Sequence, residues 1–326
     1  MFVACLSWFA AAVNAQSPKV SILIDLDPNS AAQTVIVETV TADQPGRLYV
    51  CDRVTGNVIR VDPREPKPVV VGRVAEREIQ GKKVRADSSG IVFNQQGDLF
   101  ITSGPFREIL RIKKADLDAQ KPGVAETFAT GTEGANGIAF DRNGNLYVSG
   151  GRNGKIYRIG LSGGPAQDWA LIELYTRTLP DGKTQQAITA NGIVFDSQGT
   201  NLYVADTARG AIWKVGVGAD GKAGKPTLVA QSPLLEGADG PAFHPNGSLW
   251  VAANERNAVV SVTMDGKVQE IAKNGSNGPL EFPTSVVFVG NTAYVSNFDT
   301  PRRDNLAADG VSSLDGIGAS IAQIVP

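Results

Sequence analysis

A chain of 326 residues that is 42% hydrophobic and 20% charged can bury a large core, which excludes both a disordered polymer and a membrane-spanning bundle. A formal charge of −2 without any basic run gives no general attraction for nucleic acid or an anionic lipid surface. The 36 glycines, set among short apolar runs, point to many strands and many turns.

The chain opens on Phe2–Val13, apolar and rich in small residues, followed by Val13-Asn14-Ala15, which suits signal peptidase. Residues 1–15 are therefore read as a signal peptide and 16–326 as one exported domain, periplasmic or secreted. After cleavage Cys51 is the remaining thiol, so no internal disulfide can form and stability must come from the core.

Val20–Leu26 (VSILIDL) is a strand-like run that stands before the first of a series of repeats. The best copy of the repeat is Ala190–Asp206, ANGIVFDSQGTNLYVAD, in which two alternating apolar runs flank a turn of Asp, Ser, Gln and Gly. Such a pair needs antiparallel pairing to satisfy its backbone groups. Relatives occur at Ser88–Thr102, Ala135–Ser149 and Ala238–Ala252, with a weaker one at Pro283–Ser296. The second runs begin at Leu48, Leu99, Leu146, Leu202, Leu249 and Thr292, between 43 and 56 residues apart, which is a propeller-blade period.

Each hairpin is followed by a third run of period two, such as Ile156-Tyr157-Arg158-Ile159. A more variable fourth follows in five repeats, for example Pro68–Val71, Leu171–Tyr175, Thr227–Ala230 and Val268–Ala272. Four antiparallel strands per repeat predict an all-β, six-bladed β-propeller. The last repeat stops at Pro326 after its third strand, so Val20–Leu26 is expected to supply the outer strand of that blade and close the ring, removing an exposed edge.

In this topology the starts of first strands and the ends of second strands meet at one mouth of the channel. The starts are Glu38, Ser89, Asn136, Asn191, Asp239 and Ser285, and the ends include Asp52, Ser103, Gly150, Asp206, Asn254 and Asn297. Converging carboxylate and amide oxygens are what a hard divalent cation requires, and Glu38, Asn191 and Asp239 offer two charges and one neutral oxygen. The other reading is that Asn-Gly and Asp-Gly are turn residues tolerating unusual backbone angles.

These residues carry a family resemblance. With its spaced Glu38…Asn136…Asn191-Gly192…Asp239-Gly240, the chain resembles the SMP-30/gluconolactonase-like (SGL) group of six-bladed propellers, which use a divalent metal at the channel mouth to hydrolyse lactones. The resemblance implies Glu38, Asn191 and Asp239 as metal ligands and Asn136 as a substrate contact. It implies one divalent cation, Ca2+ first, with Mg2+, Mn2+ and Zn2+ as alternatives. Glu38 lies in VIVETV rather than beside Gly-Pro-Trp. No arginine stands just before Asn136, with Glu133 nearby instead, and that absence speaks against an aldonolactone more than against the metal.

The expected activity is metal-assisted hydrolysis of a lactone or related ester, with Asp239 as ligand and general base and Asp206 as a second candidate base. The expected partner is that small molecule, with no nucleic acid, no membrane span and a monomeric chain. Three alternatives stay open: a strictosidine-synthase-like lyase or condensing enzyme, a non-catalytic NHL-type binding propeller, and a structural metal clamp in the channel.

Other motifs read as structure. The single histidine, His244, belongs to a bottom turn; Asp181-Gly182-Lys183-Thr184 lacks the glycines of a phosphate loop; Cys51 has no histidine to activate it. The Arg73–Ala86 and Arg177–Thr189 connections and the long Phe298–Gly318 insertion are expected to overhang the mouth, where loops commonly set specificity.

Overall fold

The alternating runs pair as expected because each short strand leaves backbone groups that only a neighbouring strand can satisfy. In the computed structural model, which describes residues 18–28, 32–275, 278–298, 306–314 and 316–325, they form six four-stranded antiparallel blades. The expected signal peptide, 1–15, lies outside the described residues, as do 299–305 and 315 of the long insertion. Among the described residues there is no α-helix, and no helix is long and apolar enough to cross a membrane.

Blade one comprises Val37–Ala42, Leu48–Asp52, Asn57–Asp62 and Glu65–Arg73, and blade two Ile91–Phe93, Leu99–Ser103, Glu108–Ile112 and Glu126–Thr130. Blade three comprises Ile138–Phe140, Leu146–Ser149, Lys155–Ile159 and Gln167–Leu171, so its fourth strand ends where Leu171–Tyr175 was expected to begin. Blade four comprises Ile193–Phe195, Asn201–Asp206, Ala211–Gly216 and Thr227–Gln231, and blade five Ala238–Phe243, Leu249–Ala253, Ala258–Val262 and Val268–Lys273.

Blade six joins the two ends of the chain. Pro283–Val289, Thr292–Asn297 and Ser320–Val325 are completed by Lys19–Asp25, whose Val20 faces Ile324 and whose Ile22 faces Ala322 in antiparallel register. The outer edges of blades one and two are further covered by short parallel strands, Gly123–Val124 and Gly164–Pro165.

The apolar face of each blade packs on the next blade, and six buried clusters fill the six joints. Cys51, Leu110 and Ile112 lie between blades one and two, for instance, and Val50, Tyr294 and Ile321 between blades six and one. An aromatic from a second strand meets a phenylalanine at or one residue before the end of the next blade's first strand edge-on in five joints: Tyr49 with Phe93, Phe100 with Phe140, Tyr147 with Phe195, Tyr203 with Phe243, and Trp250 with Phe288. His244 stacks on Trp250 at 5.1 Å and its Nδ1 accepts from the Asn246 backbone, which gives it a bottom-turn role. Cys51 is fully buried, and burial pushes its thiol pKa up to about 12.

The polar-Gly pair at four of the six mouth positions has a different cause from turn chemistry. Gly90, Gly137, Gly192 and Gly240 all lack a positive φ, so they are not there for a left-handed turn. They are there for space: a Cβ on Gly192 would lie 2.6 Å from the Gly240 Cα, and one on Gly137 would lie 2.6 Å from the Asn191 carbonyl oxygen. The innermost strands approach that closely because hydroxyls belt them together. Thr102 Oγ1 donates to the Asn136 carbonyl at 3.0 Å, Ser149 Oγ to that of Asn191 at 2.5 Å, and Thr284 Oγ1 and Ser296 Oγ to that of Glu38 at 2.5 and 2.6 Å.

Candidate active site at the channel mouth

The belts fix the backbone of the mouth residues, and local irregularities then aim their side chains. Pairing between first and second strands shifts register at Val37/Val40, Ala238/Pro241 and Pro283/Ser285, so bulges fall at Glu38, Asp239 and Thr284. A bulge breaks the alternation of side-chain direction, which lets these residues turn inward where a regular strand would not. In blade six it is Thr284 that lines the cavity; Ser285, expected at that position, instead accepts a hydrogen bond from the Val40 backbone at 2.8 Å.

A cavity of ≈ 470 Å³ opens at this mouth, and Glu38, Asn136, Asn191 and Asp239 all line it. Glu38, Asn191 and Asp239 are buried, the last two at 3% and 6% exposure. The Asn254 amide nitrogen donates to Asp239 Oδ2 at 3.1 Å, and the Asn191 amide nitrogen donates to Thr207 Oγ1 at 2.9 Å. The Thr207 hydroxyl in turn donates a hydrogen bond to the Ala238 carbonyl at 2.6 Å, which ties Asn191 to the strand carrying Asp239. Both amide oxygens, Asn191 Oδ1 and Asn254 Oδ1, are buried without a hydrogen-bond partner.

Burial raises the Asp239 pKa well above 3.8, and the nearby Glu38 carboxylate adds to the rise, while the Asn254 bond and Arg53 oppose it. Arg53 bridges the Glu38 carboxylate and Asp87, and its charged centre lies 5.3 Å from the Phe298 ring centroid. Burial would lower the Arg53 pKa, but the carboxylates of Glu38, Asp87 and Asp239 outweigh it and leave it raised.

Asp206 does not join this set. It is fully buried and absent from the cavity wall, and it accepts from the Arg209 backbone at 3.1 Å, the Arg209 guanidinium at 2.8 Å and the Trp213 indole at 3.0 Å. The other strand ends behave alike: Asp52 accepts from the backbones of Ile36, Val54 and Thr55, and Asn297 donates to the Pro279 carbonyl. They tie loops to blades, and only Asn254 of the named ends lines the cavity. Arg53 is the candidate absent from the sequence reading, and Asn254, named there as a mouth residue, is given no role in it.

The cavity wall also carries Tyr175, Arg177, Ala187, Ile188, Phe282 and Phe298. The blade three-to-four connection forms a hairpin, Thr176–Thr178 with Thr184–Gln186, and reaches the mouth as expected. The blade one-to-two hairpin, Arg77–Ile79 with Lys82–Val84, does not line the cavity; Arg77 pairs with Glu108 at 2.7 Å and lies over the Phe106 ring. Phe282 holds φ +49, rare for a bulky residue, and its backbone nitrogen donates to Asn257 Oδ1 at 3.0 Å. A larger hollow of ≈ 750 Å³ lies among the bottom turns around Asp43–Arg47 and Asn94–Gly97, and none of its lining side chains is an unpaired buried group among the described residues.

Among the described residues no group of three His, Cys, Asp or Glu side chains could hold a metal. The mouth set is two carboxylates with two amides, and two buried amide oxygens lacking partners are the feature that fits a hard, oxygen-seeking cation.

Residues 170–297, which include Asn191, Asp239 and Asn254, match the family model described as SMP-30/Gluconolactonase/LRE-like region. The chain resembles the SMP-30/gluconolactonase group. No curated protein matches it by sequence. A gluconolactonase from Xanthomonas campestris is 15% identical with a TM-score of 0.63, over 94% of this chain and 89% of that one. Regucalcin from Agrobacterium tumefaciens, described as a calcium-binding protein, is 17% identical with a TM-score of 0.60, over 95% of both chains. A catalytically inactive histidine-to-alanine form of virginiamycin B lyase from Staphylococcus aureus is 14% identical with a TM-score of 0.53, over 95% of this chain and 100% of that one. At such identities these SMP-30/gluconolactonase-like and lyase neighbours share the fold.

Proposed function

We propose that the protein is a divalent-metal-dependent hydrolase of a lactone or related ester. The observation that carries this reading is the buried pair of carboxylates, Glu38 and Asp239, set beside amide oxygens of Asn191 and Asn254 that have no partner. Leaving such groups unsatisfied costs about 1–3 kcal/mol each, and a cation seated beside the two carboxylates would relieve that cost. The SMP-30/gluconolactonase-like match over 170–297 and the gluconolactonase and regucalcin neighbours support it.

Glu38, Asn191 and Asp239 would hold the cation, with Ca2+ the first expectation. When bound, it supplies Lewis-acid polarisation of the ester carbonyl. Asp239, on the cavity wall beside the cation, would take the proton of the attacking water. Asn136, on the cavity wall, would orient the substrate through its amide. Tyr175, Phe282 and Phe298 would cover the apolar part of the substrate and exclude water from the reacting bond.

The strictosidine-synthase-like lyase or condensing reading, which calls for a catalytic acid but no metal, finds less support, because the mouth sets its two carboxylates beside amide oxygens of the kind a hard cation takes. Export to the periplasm or outside the cell remains part of the proposal, on the strength of residues 1–15. The test is hydrolysis of a panel of lactones and aryl esters by metal-loaded and chelated protein, with Asp239→Ala as control. Metal-independent hydrolysis, or none with any metal, overturns the reading.

A further inference from the structure

Arg53 has no counterpart in the expected site, yet its guanidinium is the positive charge closest to the proposed metal ligands. Its Nη1 bonds Glu38, while Nε and Nη2 hold Asp87 Oδ1 at 2.7 and 2.6 Å. Glu38 belongs to the first strand of blade one, Arg53 follows its second, and Asp87 lies in the connection to blade two. The arginine is therefore clamped between an inner carboxylate, nearly buried, and an outer one whose side chain is 49% exposed.

This arrangement solves a charge problem. Two carboxylates, Glu38 and Asp239, share one buried mouth, and without a cation their proximity is unfavourable. A guanidinium on Glu38 relieves that cost. It also occupies an oxygen that an incoming metal needs, so metal and arginine compete for one carboxylate.

We propose that Arg53 is a built-in counter-cation that competes with the divalent metal for Glu38, and that Asp87 is the outer anchor onto which it withdraws when the metal binds. The inference rests on the metal reading above, and it concerns a positioning residue rather than a catalytic one. Two of the guanidinium nitrogens already hold Asp87, so release of Glu38 needs only the loss of the Nη1 bond and a small rotation over the Phe298 ring. Metal affinity is thereby set by the balance between two carboxylates pulling on one arginine.

The experiment is calorimetric titration of metal-free protein with Ca2+ and with Mn2+, alongside thermal unfolding with and without metal. Arg53→Met removes the competitor and is expected to tighten binding by about tenfold or more, while melting lower without metal and gaining a larger metal-induced rise than wild type. Asp87→Asn removes the outer anchor, leaves the guanidinium on Glu38, and is expected to weaken binding; asparagine suits the left-handed backbone at φ +48, so the fold should be retained. Wild-type binding with Arg53→Met equal or weaker overturns this inference alone. Absence of binding by wild type, Arg53→Met and Asp87→Asn overturns the metal reading and this inference with it. If Arg53→Met folds only with metal present, the Asp87→Asn titration decides: binding no weaker than wild type overturns the proposal.

Discussion

The Asn254 side chain donates to Asp239 Oδ2 at 3.1 Å from the end of the neighbouring strand of the same blade, and leaves its own amide oxygen without a partner. One bond thus orients the carboxylate while the free oxygen adds to the donor set. Replacing Asn254 by Leu keeps the volume and removes both. The expected result is a fall of about tenfold in kcat with the melting temperature little changed, measured on whichever ester the wild type hydrolyses.

Asp239 makes a prediction about pH. Burial and the Glu38 carboxylate raise its native pKa well above 3.8, so once pH passes 3.8 the native state keeps a proton that the unfolded chain has released. Its contribution to stability is therefore complete below that value and is lost as pH rises through the raised native pKa. Metal-free protein in chelator should melt at progressively lower temperature across that window, and Asp239→Asn should flatten the profile. Melting curves read by circular dichroism at a series of pH values check this; identical slopes for the two proteins would refute it.

The unpartnered Asn191 oxygen predicts how metal stabilises the fold. Metal that binds only the native state raises stability by mass action, about 2.7 kcal/mol at a hundred times its Kd. Wild type should show a saturable rise in melting temperature with Ca2+ or Mn2+. Asn191→Leu should lose most of that rise, since leucine offers no oxygen and Thr207 Oγ1 loses its donor without any charge being removed.

Much of this architecture was legible because alternation and period are properties of single strands. Six hairpin copies, and the run at Val20–Leu26 with no strand of its own to pair with, were enough for a closed ring, and Lys19–Asp25 does pair with Ser320–Val325. Outer strands were less clear: Gln167–Leu171 is mostly exposed and its alternation is weak, which is why the fourth strand of blade three was displaced toward Tyr175. The bulge at Pro283/Ser285 moved the mouth position to Thr284, a shift that a regular period cannot register. Repetition of one position singles out Glu38, Asn136, Asn191 and Asp239, and the four do line one cavity. Arg53 and Asn254 lie outside that position, and their roles depend on contacts across and along blades; the one local signal was that each stands at or just beyond the end of a second strand.

Asp206 and Asp239 are both candidate bases in the sequence, but their surroundings differ: Asp239 lines the mouth cavity and Asp206 does not. Asp206 Oδ2 accepts from the guanidinium of Arg209 and from the Trp213 indole, and that guanidinium also donates to the Glu173 and Leu174 carbonyls and lies 5.1 Å from the Tyr175 ring centroid. Asp206→Ala leaves Arg209 and Trp213 short of an acceptor and should destabilise the protein by about 3 kcal/mol, the low end for a broken buried pair because Arg209 reaches solvent. KM should rise as the Tyr175 wall loosens, while kcat falls far less than the roughly 10²–10⁴-fold expected when a general base such as Asp239 is lost. A pH–rate profile that changes shape in Asp206→Ala would instead place Asp206 in the proton transfer.

The glycines of the mouth offer the sharpest test of how the ring is packed. A Cβ at Gly192 would lie 2.6 Å from both the Gly240 Cα and the Pro241 Cδ, atoms of the next blade that no side-chain rotation can move. Gly192→Ala must push two innermost strands apart, along with Asn191 on one and Asp239 on the other. A loss of about 1–3 kcal/mol in urea unfolding is expected, together with a weaker metal response, because the ligand positions spread. Gly182 is the control. It sits in the turn of the Thr176–Gln186 hairpin at φ +80 with no atom within 4 Å of an added Cβ, so Gly182→Ala suffers backbone strain of about 1 kcal/mol but no clash, and should bind metal as the wild type does. If the two alanine variants lose the same stability and the same metal response, close approach of the blades is not what keeps glycine at the mouth.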